Sequence, residues 1–99
     1  MTRPRHRLLV CYDVREPTRL RHMHDAMLGF GDPLQYSVFL CDLSGTERVL
    51  LETAVLRVMS LSEDSIAIVD LGPASGSGSK RIRSLGVGRV PEVRRYTIV

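Results

Sequence analysis

The stretch GDPLQYSVFLCDL, residues 31–43, decides how this chain folds. A Gly-Asp-Pro turn opens it, and ten strand-forming residues follow. By alternation Leu34, Tyr36, Val38 and Leu40 share one face, while Gln35, Ser37, Phe39, Cys41 and Leu43 share the other. Common strands run about 5–6 residues, so a run of this length can bend into two short strands. Read as a hairpin, it supplies two strands between whatever elements lie on either side.

Upstream, LLVCYDV (8–14) lies in a strand over 7–14 that is apolar on both faces, as a central strand should be. Pro17 stands where a first helical turn would begin, and the spacing predicts a helix running to about Phe30. Leu20, Met23, Met27 and Phe30 form its buried stripe, Arg21, His22 and Asp25 its wet face, and Gly29 and Gly31 end it. Downstream, Ser44 and Glu47 make an S-x-x-E capping box that opens a second helix. Leu50, Leu51, Ala54, Val55, Val58 and Leu61 are its expected buried stripe. SEDS (62–65) closes it, and IAIVDLG (66–72) is a further strand.

Strand, helix, hairpin, helix, strand is the α+β order of the ferredoxin-like βαββαβ fold. Ninety-nine residues suit one such domain, 1–99. Residues 80–99 form a C-terminal extension whose last letters, RYTIV, are strand-forming. They are expected to add to a sheet edge, its own or a partner's. Two helices cover one sheet face only. The other would carry Leu9 and Cys11 with either Phe39 and Leu43 or Val38 and Leu40, too apolar to leave wet, and a face-to-face homodimer is the economical solution.

Composition narrows the function classes. No apolar run approaches the roughly 20 residues of a membrane span, and the basic start MTRPRHR has no cleavage site after it, against a secretory signal. Cys11 and Cys41 sit in strand-like runs, as reduced thiols of a cytoplasmic protein do. With His6, His22 and His24 they show no zinc spacing. The loop GPASGSGS (72–79) lacks the phosphate-loop pattern, and no G-x-G-x-x-G occurs. Charge is uneven. Residues 1–21 carry six Arg against Asp13 and Glu16, or +4; residues 80–99 carry Lys80 and five Arg against Glu92, or +5; residues 22–79 carry Arg48 and Arg57 against eight acids, or −6. Thirteen of the fourteen basic residues are Arg, whose fork suits phosphate as well as carboxylate. The two readings are internal ion pairs and an anionic partner, with nucleic acid favoured if the basic ends converge.

Asp13 interrupts the apolar run, on the face of Leu9 and Cys11 and at the strand's C-terminal end. Across a two-fold axis it would meet its own copy. Paired carboxylates repel, so that one takes a proton or a cation settles between them, and Mg²⁺ suits one or two carboxylates plus phosphate oxygens. The plainer alternative is that Asp13 caps the loop or pairs with Arg15 or Arg19.

YDV at 12–14, arginines opening the next helix, GDPLQYSVFLCDL at 31–43 and SIAIVDLG at 65–72 resemble the CRISPR-associated protein 2 family. The resemblance implies the ferredoxin-like fold, a homodimer, and a role in spacer acquisition for antiviral defence beside an integrase, CRISPR-associated protein 1. It also implies a Mg²⁺-dependent endonuclease acting on single-stranded RNA or double-stranded DNA. The family's metal-site aspartate matches Asp13 and its neighbouring tyrosine Tyr12. Its helix-one arginines match Arg19 and Arg21, and its S-V-F element matches Ser37 and Phe39. Arg15-Glu16 stands where an acidic pair often follows. Two other classes compete with the nuclease: a non-catalytic scaffold for nucleic acid and integrase, and a regulatory dimer binding a small ligand. Aromatics are few (Tyr12, Phe30, Tyr36, Phe39, Tyr96), and burial of most of them would favour gripping a duplex backbone over stacking on bare bases.

Overall fold

The computed structural model describes residues 4–87. In chain order it contains β1 (His6–Asp13), α1 (Pro17–Met27), β2 (Asp32–Gln35), β3 (Val38–Leu43), α2 (Gly45–Val58), β4 (Ser65–Pro73) and a 3-10 turn, Gly78–Arg81. The four strands form one antiparallel sheet in the order β2-β3-β1-β4, the ferredoxin-like arrangement. The run 34–43 does bend, with Tyr36 and Ser37 as the turn between β2 and β3. The C-terminal strand expected near RYTIV falls on 88–99, outside the described residues.

Each helix starts where its sequence supplies a cap. The carboxylate of Glu16 accepts from the backbone N–H groups of Thr18 and Arg19 at 2.9 and 2.8 Å, and Pro17 follows as the first helical residue. The Ser44–Glu47 capping box forms in both directions, at 3.2 and 2.9 Å. Helix α1 stops at Met27, three residues before the expected Phe30. There Phe30 and Gly31 both donate to the Met27 carbonyl in a tight turn. The turn brings Gly31 against β3: a Cβ at this position would collide with the Leu40 carbonyl oxygen and lie 2.5 Å from Cys41 Sγ.

The core lies between the sheet and the helices. Leu8, Val10 and Tyr12 of β1 and Phe39, Cys41 and Leu43 of β3 meet Met23 and Met27 of α1 and Leu51 and Val55 of α2. Leu20, Phe30, Val58, Ile66 and Ile68 pack around them. Leu51 and Val55 of the expected α2 stripe are buried, Ala54 and Val58 are half-buried, and two members are exposed. Leu50 projects a helical step away from Leu51 and is exposed, and Leu61, 78% exposed, follows the end of the helix at Val58. At the far edge β4 bulges where Leu71 and Gly72 stand opposite β1. Gly72 has φ +96°, a left-handed conformation that a side chain would strain.

The helix-free face carries Leu9, Cys11 and Asp13 from β1. Leu9 faces Leu40 on one side and Val69 on the other; Cys11 faces Val38 and Ala67. Leu40 is fully buried, Leu9, Cys11 and Val38 are half-buried, and Val69 remains 44% exposed. One end of the face is closed by the register pair Arg7 and Asp42, joined by a two-pronged ion pair at 2.8 and 2.9 Å. Among the described residues no helix is long and apolar enough to cross a membrane.

Candidate functional site

The end of β1 is held from three directions. Tyr12 donates its backbone N–H to the Ser37 carbonyl at 3.0 Å and its hydroxyl to the Tyr36 carbonyl at 2.6 Å. Burial pushes its phenol up to about 12, with Tyr36 and Asp25 adding to the shift. Tyr12 is therefore a protonated donor that anchors the hairpin turn, not a base at neutral pH. Past Asp13, the loop into α1 is pinned by Asp64. Its side chain is fully buried and accepts from Arg15 N at 3.2 Å, Ser60 N at 2.8 Å, and Arg19 Nε and Nη2 at 2.8 and 3.1 Å. The Arg19 guanidinium, with the two backbone donors behind it, holds this carboxyl far below the usual carboxylate range despite its burial.

Asp13 stands apart from this network. It is exposed, at the last position of β1, opposite Ser65 at the start of β4. Asp42 is matched to Arg7, Glu47 to Arg5, Asp64 to Arg19 and Asp70 to His6. Asp13 makes no ion pair or side-chain hydrogen bond among the described residues. Loop capping and pairing with Arg15 or Arg19, the plainer reading of its sequence position, do not occur here.

The other sequence-derived candidates fall into distinct places. Arg19 is committed to Asp64, with Glu63 at 3.3 Å on its outer side. Arg21, further along α1, is exposed with no ion pair among the described residues. Ser37 is half-buried in the turn, and its carbonyl orients Tyr12. Phe39 has no exposed surface and lies 6.3 Å from the Tyr12 ring, centroid to centroid. Cys41 is buried, and that burial raises its thiol to about 12, the inert state expected of it.

Two features escaped the sequence reading. One is Asp64, which SEDS offered only as a helix-ending letter. The other is Tyr36, assigned by alternation to the face of Val38 and Leu40. The turn at 36–37 breaks the alternation, and the Tyr36 ring instead lies flat against His24 of α1, at 4.1 Å between centroids and 5° between planes. It is 51% exposed.

Among the described residues no three His, Cys, Asp or Glu side chains gather into a metal cluster. Asp64, pinned at the same end of the sheet, is spent on Arg19 and two backbone amides, so the donor left to a metal there among the described residues is the Asp13 carboxylate, one per chain. That fits Mg²⁺, which keeps several waters and takes one or two carboxylates with phosphate oxygens, and does not fit a zinc site.

The family model described as CRISPR associated protein Cas2 matches residues 6–76, from the first residue of β1 to just past β4. The chain belongs to the Cas2 family. A Geobacter sulfurreducens relative, called CRISPR-associated endoribonuclease Cas2, is 37% identical over 94 residues, covering 95% of this chain and 98% of the relative. A Thermus thermophilus relative, called CRISPR-associated endonuclease Cas2 2, is 32% identical over 92 residues, 91% of this chain and 92% of its own. Among solved structures, Streptococcus pyogenes Cas2 superposes with a TM-score of 0.72 at 29% identity, covering 81% of this chain and 99% of that one. A Thermus thermophilus protein titled hypothetical protein TT1823 also gives 0.72, at 28% identity over 89% of this chain and 99% of its own. The matched span includes Tyr12, Asp13, Arg19, Arg21, Ser37 and Phe39, the residues that the sequence resemblance singles out.

Proposed function

We propose that this Cas2-family chain is a homodimeric, Mg²⁺-dependent endonuclease of CRISPR spacer acquisition, cleaving RNA or double-stranded DNA. The observation that carries the reading is Asp13: an exposed carboxylate with no partner among the described residues, on a partly apolar sheet face that its own helices leave bare. Pairing of that face with a second copy would cover Leu9, Val38 and Val69 and bring the two Asp13 side chains toward one axis. Two carboxylates there would hold Mg²⁺, which when bound polarises a phosphate oxygen and lowers the pKa of an attacking water.

The chain's own residues do the rest. Tyr12, through the 36–37 turn, and Asp64, through the β1–α1 loop, fix the backbone on either side of Asp13. Arg19 is a positioning residue, since its guanidinium is spent on Asp64. Arg21, like Arg15, is exposed without an ion pair among the described residues and is a cation able to meet a phosphate. Phe39 supports Tyr12 from the core, and Ser37 holds its backbone. The relatives named endoribonuclease and endonuclease support phosphodiester cleavage as the reaction.

A second reading has its own support. One carboxylate per chain and an Arg19 turned inward are sparse equipment for hydrolysis, and favour a scaffold that binds nucleic acid and the integrase CRISPR-associated protein 1. The deciding experiment is a cleavage assay on single-stranded RNA and duplex DNA, with and without Mg²⁺, for wild type and Asp13→Asn. Mg²⁺-stimulated cleavage that disappears in the variant supports the nuclease. No cleavage by wild type, with integrase binding intact, supports the scaffold.

A further inference from the structure

We propose that Tyr36, backed by His24, is a stacking platform for one unpaired nucleobase of a single-stranded substrate. The inference rests on the nucleic-acid reading above and narrows it to a substrate with at least one unstacked base.

Hydrogen bonds hold the backbone of the platform and the ring behind it. The Tyr36 carbonyl accepts two hydrogen bonds, from Tyr12 Oη at 2.6 Å and from His24 Nδ1 at 2.8 Å. Because a carbonyl only accepts, His24 carries its proton on Nδ1, which fixes the imidazole over the ring it stacks on. Behind it, His24 meets the fully buried Phe39 edge-on, with centroids 5.3 Å apart. Phe39, His24 and Tyr36 thus form a column running from the core to the surface. His24 covers one face of the Tyr36 ring, so its exposed half lies on the other face and the rim.

An exposed aromatic held flat by a second ring loses little side-chain freedom when a base settles on it, and stacking on aromatic faces is indifferent to base identity. Arg21 lies one helical turn before His24 on α1, on the same side of the helix, where it can meet a flanking phosphate. Asp13 directly follows Tyr12, whose hydroxyl and N–H both bond this turn, but it belongs to the helix-free face, whereas the Tyr36 ring lies in the helix layer. A continuous duplex offers no free base face, whereas an unpaired RNA or DNA strand does.

The test measures binding of oligouridylate, oligodeoxythymidylate and a mixed-sequence DNA duplex to full-length wild type, Tyr36→Phe and Tyr36→Leu, at one fixed salt concentration without Mg²⁺. Tyr36→Leu should weaken both single strands about tenfold or more, Tyr36→Phe should stay within about twofold, and duplex binding should be unchanged in both. The two single-strand arms show whether RNA or DNA is the preferred source. Ring protons of Tyr36 in the wild type should shift upfield on adding oligouridylate, a readout independent of whether the Leu variant folds. Single-strand binding that is undiminished in Tyr36→Leu, or a ring signal that stays still, overturns the platform while leaving the nucleic-acid reading intact. Wild type that binds neither strand nor duplex overturns both.

Discussion

Arg19 and Asp64 form a two-pronged pair at 2.8 and 3.1 Å, with the Asp64 side chain wholly out of water. The pair joins the first turn of α1 to the turn that precedes β4, and the Arg15 amide adds the loop that follows Asp13. An arginine placed by its sequence among phosphate-binding candidates is here a structural strut.

Removing one side of the strut leaves a buried, unmatched charge or its orphaned donors. Asp64→Asn is expected to lower Tm by about 10 °C. The wild type should also lose stability in acid. The folded-state pKa of Asp64 is depressed below its ordinary 3.8, so its contribution is complete above that value. It drains away as pH falls from about 4 toward the depressed value. Thermal melts from pH 7 to pH 2 check both points, and the Asn variant should show a flatter acid limb.

Asp13→Asn should behave in the opposite way. No side-chain bond among the described residues is lost with its charge, so the fold should keep its Tm within about 3 °C. If two copies face each other across an axis, removing the repulsion should leave the dimer as tight or tighter. Sedimentation at low micromolar concentration, alongside the Mg²⁺-dependent cleavage assay, reads this out; a weakened dimer would contradict the axial placement.

Leu9 sits at the centre of the helix-free face, between Leu40 and Val69. Leu9→Glu places a charge in the proposed contact while sparing the helix-side core. It should convert a sedimenting dimer to a folded monomer, with little change in far-ultraviolet circular dichroism. A dimer unaffected by this change must use another surface.

Arg15 and Arg21 are the exposed N-terminal arginines without an ion pair among the described residues, whereas Arg5, Arg7 and Arg19 are occupied by Glu47, Asp42 and Asp64. Duplex DNA binding should weaken steeply with salt, through counterion release. Arg15→Gln and Arg21→Gln should each reduce the logarithmic salt slope by about 1, if each meets one phosphate. Equal slopes for wild type and the double variant would mean that the contacts come from elsewhere, such as the arginines of the C-terminal extension.

Phe39 tests the division between core and site. With no exposed surface it should act through stability alone, and Phe39→Ala should cost about 3–5 kcal/mol by chemical denaturation, a large part of a small domain's total.

What was legible in the sequence follows from periodicity. The β1 core face, the Met23–Met27 stripe and both helix starts could be read because each depends on local spacing or one capping residue; alternation alone left open which face of 38–43 meets the helices, and the core takes Phe39, Cys41 and Leu43. Asp64 could not, because its meaning depends on pairing between strands distant in sequence. Once β1 is known to lie antiparallel to β4 with Asp13 opposite Ser65, residue 64 must fall beside the β1–α1 loop. Tyr36 was misassigned for the converse reason: alternation holds only inside a strand, and two turn residues suffice to send a side chain to the opposite layer. Asp13 was placed correctly on the bare face, but only the structure shows that the nearby arginines do not claim it.

The central place of β1 also governs the order in which the chain can assemble. Leu9 needs Leu40 on one side and Val69 on the other, so the first of the four described strands to be made is completed only by the last of them. Until β4 emerges, one edge of β1 carries open backbone donors and acceptors, and LLVCY waits without its second neighbour. Folding should therefore wait on closure of the long β1–β4 loop and run slowly for a domain of this size. A nascent chain stalled before residue 65 should be a substrate for chaperones and proteases, while one stalled far enough past Pro73 for β4 to clear the exit tunnel should resist both.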